Sequence, residues 1–148
     1  MNALNASGIM DKISTYNAAT KDHIPDDLCR RIIHFARGRV DVVAIYIFGS
    51  IATEKNRAGS DIDVAIMVRS PMKGMERVQL ETFLSNLLER DVDLIIFGEA
   101  SSLLQHQILK YGRLVYEGDT KERVRQEVAS RREYLDTTFL YKVIEGYD

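Results

Sequence analysis

The 148 residues carry 20 Lys and Arg against 22 Asp and Glu, for a formal charge of -2, with 45% hydrophobic and 28% charged residues. This is the composition of about one globular domain and excludes a wholly disordered chain. The acidic balance also argues against a nucleic-acid binder that works by bulk electrostatics, because such domains carry a basic excess.

One cysteine, Cys29, excludes an intramolecular disulfide framework. It sits beside Leu28 and Ile32 in a helical pattern and reads as a packing residue. No run nears the roughly 18 apolar residues of a membrane span. The segment MNALNASGIMDKIS lacks the basic-then-apolar order of a signal peptide, so a soluble, cytoplasmic protein is expected.

Residues 1–23, rich in Asn, Ala, Ser and Thr, read as a mobile tail or a loosely docked helix, leaving 24–148 as the domain. From Pro25, apolar positions Leu28, Ile32, Phe35 and Ala36 recur at helical spacing. Asp26 and Asp27 open this helix and Gly38 follows it. The run VVAIYIF at 42–48 is continuously apolar and β-branched or aromatic, which predicts a central strand buried on both faces. Residues 61–68 alternate instead. Ile62, Val64, Ile66 and Val68 share one face, and Asp61, Asp63, Ala65 and Met67 the other.

A helix over 75–90 follows, with Leu80, Phe83, Leu84, Leu87 and Leu88 apolar. Met72 and Met75, near Pro71, are expected in a mobile connection beside the site. VDLIIF at 92–97 predicts another strand, stopped by Gly98. Next comes a short helix holding Leu103, Leu104 and Ile108, capped by Ser101 or Ser102 and broken by Gly112. Leu114 to Tyr116 is a brief strand. From Asp119 a long C-terminal helix is marked by Val124, Val128, Leu135 and Phe139. The order of elements predicts an α/β domain, a small mixed β-sheet flanked by helices.

The chemistry concentrates in FGSIATEKNRAGSDIDVAIMV, residues 48–68. A buried strand runs into Gly49-Ser50, and an Ala-rich segment able to open a helix follows. Glycine lets a phosphate approach the backbone, serine adds a hydroxyl, and a helix start offers unpaired N–H groups. Alone, such a turn is common punctuation. Ten residues later, Asp61 and Asp63 project from one strand face about 7 Å apart. At an effective dielectric near 20 their charges repel by about 2 kcal/mol. A solvated strand entrance explains a bare pair of this kind as well as a cation does. A third acid tips the balance. Asp93 starts an apolar strand, with Val92 and Leu94 on the opposite face, while Asp91 is the rival position and reads as a loop acid. Three carboxylates facing a phosphate turn suit Mg²⁺ and a nucleoside triphosphate.

Gly49-Ser50, ten residues, then Asp61-Ile62-Asp63 resembles the signature of the nucleotidyltransferase fold of the DNA polymerase β-like superfamily. The chain is similar to its minimal nucleotidyltransferase branch. More closely it resembles the antitoxins of HEPN/MNT toxin–antitoxin pairs, through YIFGS at 46–50, ILKYGRLVYEGD at 108–119 and REYLD at 132–136. The resemblance implies a mixed sheet with the active site at one end and a single nucleotidyltransferase domain over 24–148. It implies that Asp61 and Asp63 bind two Mg²⁺ ions, that Asp93 completes the second metal site and assists deprotonation of the acceptor, and that Gly49 and Ser50 hold the triphosphate. ATP would donate AMP to a tyrosine hydroxyl of a HEPN-type ribonuclease toxin, silencing it within a hetero-oligomeric complex. Many relatives read Gly-Ser-x-Ala-Arg-Gly, whereas Thr53 and Glu54 follow Ala52 here. Lys55 or Arg57 is then expected to meet the phosphate charge. That departure is the support for an alternative, a non-catalytic antitoxin that neutralises its partner by binding alone.

Other residues invite less. His23, His34 and His106 lack companions at ligand spacing and read as surface or helix-packing residues. Tyr46 reads as core. The basic residues Lys121, Arg123, Arg125, Arg131 and Arg132, interleaved with Glu122, Glu127 and Glu133, predict a solvated, ion-paired helix face, with a partner surface as the sharper alternative.

Overall fold

A computed structural model describes residues 24–49 and 61–146. Helix α1 (Asp26–Arg37) leads into strand β1 (Val42–Phe48). Strand β2 (Ile62–Val68), helix α2 (Gly74–Leu88) and strand β3 (Val92–Ile96) form a parallel β–α–β unit. A 3₁₀ turn (Phe97–Glu99), helix α3 (Ser102–Tyr111), strand β4 (Arg113–Glu117) and helix α4 (Thr120–Ile144) complete the order. The sheet runs β3-β2-β1-β4, with β1 antiparallel to both β2 and β4. The expected α/β mixed sheet and long C-terminal helix are both present. The segment 1–23 and the Ala-rich stretch after Ser50 lie outside the described residues.

Strand β1 is internal and buried along its first six residues, which is why its sequence shows no alternation. A register shift between Val42 and Ala44 marks a bulge. It puts Val43, Ala44 and Tyr46 in one core cluster, and Val42, Ile45 and Ile47 in the other. The alternation of β2 is as expected. Ile62, Val64 and Ile66 join the cluster with Leu28 and Ile32 of α1 and Leu80, Leu84 and Leu88 of α2. Ala65 and Met67 join the cluster with Phe97 and Ile108. Helices therefore cover both faces of the sheet.

At the edge strand β3, polar side chains of α2 satisfy backbone groups that no further strand pairs. Leu94 N–H donates to Glu81 Oε2 at 2.9 Å, and Val92 N–H donates to Ser85 Oγ at 3.1 Å. The Leu94 carbonyl accepts from Arg77 Nη1 at 3.1 Å, and Arg77 also pairs with Glu81. These contacts bracket Asp93 on both sides and blunt the free edge. Glu81→Ala leaves the Leu94 N–H without its partner. The expected cost is about 1–2 kcal/mol, measured by urea denaturation.

Three expectations are corrected. Phe97 leaves the strand for the 3₁₀ turn, where it is buried and stacks on Tyr46 with ring centroids 6.2 Å apart. Met72 and Met75 follow the C-terminal end of β2, whereas Asp61 and Asp63 stand at its start, so they lie at the far end of the sheet from the acids. Most distinctly, Val124, Val128, Leu135 and Phe139 of α4 are exposed, and the residues this helix buries are Glu127 and Ser130. Its inward stripe is polar because Glu127 meets Tyr46 and Arg123 rather than an apolar layer. Ser101, not Ser102, caps α3, accepting from Leu104 N–H.

Candidate active site

The acids gather where β1 ends and β2 and β3 begin. Phe48 pairs with Asp63 across the antiparallel β1–β2 ladder, and Asp63 pairs in parallel register with Asp93. Asp61 stands exposed two residues before Asp63, just ahead of β2, which gives it the same facing. Val92 and Leu94 are buried while Asp93 is exposed, as the alternation requires. Asp91 is a loop acid, and its carbonyl accepts from Ile62 N–H at 2.9 Å to start β2.

Asp63 is half-buried, and its carboxyl is held above the usual carboxylate range. Burial is the largest cause, followed by the negative charges of Asp93 and then Asp61. Asp63 thus stands in a negative field that a cation would relieve. Among the described residues no three His, Cys, Asp or Glu side chains converge into a ready-made metal cage. Carboxylate oxygens are the donor type that Mg²⁺ takes from a protein, beside water or phosphate oxygens.

Gly49 closes the site from the β1 side. Its φ is +77°, in the left-handed region, and a Cβ built there would fall 2.0 Å from Asp63 Oδ2. Only glycine lets the turn pass so close to the carboxylate. Ser50, Lys55 and Arg57 lie outside the described residues.

Next to the site, sequence reasoning missed a buried polar network. Tyr46 O–H donates to Glu127 Oε1 at 2.6 Å, Arg123 Nη1 donates to the same oxygen at 2.7 Å, and Arg123 Nε donates to Glu117 Oε2. Burial and the Glu127 hydrogen bond push the Tyr46 phenol far above its ordinary value. The network ties α4 to β1 and β4 three residues before Gly49. Its only linear signal was the Arg123/Glu127 spacing, which also fits a solvated pair. Elsewhere on α4 the expected surface pairs do occur, as Arg125–Glu122 and Arg131–Glu127. Arg123→Met leaves Glu117 without its cation and Glu127 with only Arg131, 3.7 Å away, and a loss of about 3 kcal/mol is expected in chemical denaturation.

His23 lies outside the described residues, and the other declined residues stay outside the site. His34 is exposed, and His106 stacks on Tyr134 with centroids 3.8 Å apart. Cys29 packs against the core, and burial pushes its thiol up to about 11, so it is no nucleophile at neutral pH. No helix among the described residues is long and apolar enough to cross a membrane.

A family model described as Polymerase beta, Nucleotidyltransferase matches residues 30–121. The chain is 32% identical over 72 residues to Protein adenylyltransferase MntA of Shewanella oneidensis, a match covering 49% of this chain and 52% of that protein. The chain thus spans about half the length of this curated relative. Among solved structures, a toxin–antitoxin with AMP-PNP superposes with a TM-score of 0.70 at 25% identity, covering 80% of this chain and 95% of that one. A tri-AMPylated Shewanella oneidensis HEPN toxin in complex with MNT antitoxin gives a TM-score of 0.66 at 24% identity, covering 82% and 95%. The latter likeness is one of fold.

Proposed function

The chain belongs to the Polymerase beta nucleotidyltransferase family, and on that premise we propose that it is an ATP- and Mg²⁺-dependent protein adenylyltransferase. Its acceptor would be a tyrosine hydroxyl of a HEPN-type ribonuclease toxin, which it silences as an antitoxin in a hetero-oligomeric complex. The observation that carries this reading is the half-buried Asp63, crowded by Asp61 and Asp93 and met by Gly49 at the strand ends. Two similar proteins support it by what they are: an adenylyltransferase by name, and a toxin–antitoxin solved with an ATP analogue. The exposed apolar residues of α4, among them Leu135 and Phe139, supply surface for a protein partner.

The donor set fits hard cations. Asp61 and Asp63 would hold two Mg²⁺ ions and Asp93 would complete the second site. When bound, the metals supply charge neutralisation at the triphosphate and a lowered pKa for the acceptor hydroxyl. The chain's own residues do the rest. Gly49 and Ser50 would cradle the phosphates, and Arg57, or Lys55 beside it in sequence, would meet their charge. Asp93 assists removal of the acceptor proton. The phenolic oxygen then bonds to the α-phosphorus as the α–β phosphoanhydride bond breaks, and pyrophosphate leaves with that electron pair.

Intact mass spectrometry of a HEPN-type partner, co-expressed with this chain or with its Asp61→Asn/Asp63→Asn variant, tests the reading. Added AMP units with the natural chain alone are expected. An unmodified partner, held in a stable complex by both chains, would make this an antitoxin that acts by occlusion.

A further inference from the structure

Strand β3 is an edge of the sheet, so a neighbouring strand holds it from one side only, that of β2. Asp93 lies on it directly across from Asp63, and the two negative charges repel. A strand held from one side yields to such a push by moving outward, which would widen the gap between the two acids.

A helix holds the outer side instead. Arg77, Glu81 and Ser85 stand four residues apart on one face of α2. Every hydrogen bond they make to β3 falls on a residue flanking Asp93. Glu81 Oε2 accepts from Leu94 N–H at 2.9 Å, Arg77 Nη1 donates to the Leu94 carbonyl at 3.1 Å, and Ser85 Oγ accepts from Val92 N–H at 3.1 Å. Arg77 Nη1 also donates to Glu81 Oε2 at 3.1 Å, so the acceptor and the donor are locked to each other. Together they offer Leu94 what a neighbouring strand would, one acceptor and one donor.

The attachment is confined to the end of the strand that carries the acid. Among the described residues, no side chain of α2 bonds the backbone of Ile96, where β3 ends. Blunting a bare edge alone would not call for that concentration. On the inner side, the Asp91 carbonyl accepts from Ile62 N–H at 2.9 Å, between Asp61 and Asp63. Asp93 therefore sits between an attachment to β2 and an attachment to α2.

We propose that Glu81, locked by Arg77, is a positioning residue for Asp93, fixing its distance from Asp63 and with it the affinity of the second metal site. Glu81 acts through the metal roles proposed above for the three acids, on which this assignment rests, and itself touches neither metal nor substrate. Groups that hold metal ligands in place change metal affinity about 10–100-fold when removed.

Calorimetric titration of the full chain with Mn²⁺, an oxygen-binding stand-in for Mg²⁺, tests this in the presence of an ATP analogue with a methylene α–β bridge. No transfer step enters the measurement. Glu81→Ala is expected to weaken Mn²⁺ binding about tenfold, and Glu81→Gln, which keeps an acceptor for Leu94 N–H, to bring it back within about twofold of the natural chain. In an Asp93→Asn background Glu81→Ala should change nothing further, because the group it positions is gone. Ile32→Val trims the core beneath α1, costs comparable stability and should leave Mn²⁺ affinity at the natural value. Arg77→Met, which unlocks Glu81, should weaken binding with the same dependence on Asp93, and it carries the test if Glu81→Ala does not fold. Natural affinity in Glu81→Ala, equal weakening with and without the Asp93 carboxylate, or a like loss in Ile32→Val would each overturn the positioning role. Natural affinity in Asp93→Asn itself would remove Asp93 from the metal site, and the underlying reading would fall with it.

Discussion

Replacing Asp63 by Asn is expected to remove the proposed AMP transfer and to make the metal-free protein more stable. The two effects share one cause. Asp63 is held above 3.8, the value of an isolated aspartate, by burial and by the charges of Asp93 and Asp61. The folded state therefore binds a proton more readily than the unfolded chain does. In the window from the unfolded value up to the raised folded value, stability falls as pH rises, and the penalty is complete above that window. At neutral pH the asparagine variant escapes it. Two charges about 7 Å apart repel by about 2 kcal/mol at an effective dielectric near 20, and partial exposure reduces this. A gain near 1 kcal/mol, or about 3 °C in Tm, is the expected size for a chain of this length. Added Mg²⁺ should raise the Tm of the natural chain and leave the variant almost unmoved. Transfer should fall about a thousandfold or more, because charge stabilisation at the metals dominates such reactions. Differential scanning calorimetry with and without Mg²⁺, beside a transfer assay, reads both effects. A variant less stable than the natural chain at pH 7 would contradict the electrostatic account.

That opposition between stability and chemistry explains what could be read from the sequence. A strand has a period of two, so Asp61, Asp63 and Asp93 declare their facing through the apolar residues between them. The parallel register of Asp63 with Asp93 then brings them together, which a local pattern can suggest but not supply. The bulge in β1 was invisible for the opposite reason. When both faces are buried, an extra residue leaves a continuous apolar run unchanged. The face of α4 was legible only in its charges. Glu127 looks like a surface acid until Tyr46 arrives from β1, 81 positions earlier, to hydrogen-bond it. Its apolar residues, which in a lone helix would mark the core side, face outward instead. The Arg77–Glu81 pair misleads in the same way. It has ordinary helix-surface spacing, yet it holds the backbone on which Asp93 is displayed.

Gly49→Ala should approach the catalytic defect of Asp63→Asn without touching a carboxylate. A methyl group at Gly49 would fall 2.0 Å from Asp63 Oδ2 and 3.0 Å from its Cγ, so the carboxylate or the turn must move. The φ of +77° resists relaxation of the turn, since an alanine there adds about 1–2 kcal/mol of backbone strain. Displacing the carboxylate by an ångström misplaces the group proposed to hold both metals, and errors of that size cost about a hundredfold in rate. The variant should therefore fold with a Tm lowered by a few degrees, about 2–4 °C per kcal/mol, and transfer AMP at least about a hundredfold more slowly. Its Mg²⁺-dependent rise in Tm should shrink as well. Binding of the partner reports on surfaces elsewhere and should persist. Measuring transfer rate and partner affinity on the same sample separates catalysis from occlusion. Transfer at the natural rate would mean that the Gly49 turn does not set the position of Asp63. Full silencing of the toxin by the transfer-deficient variant would mean that binding alone suffices.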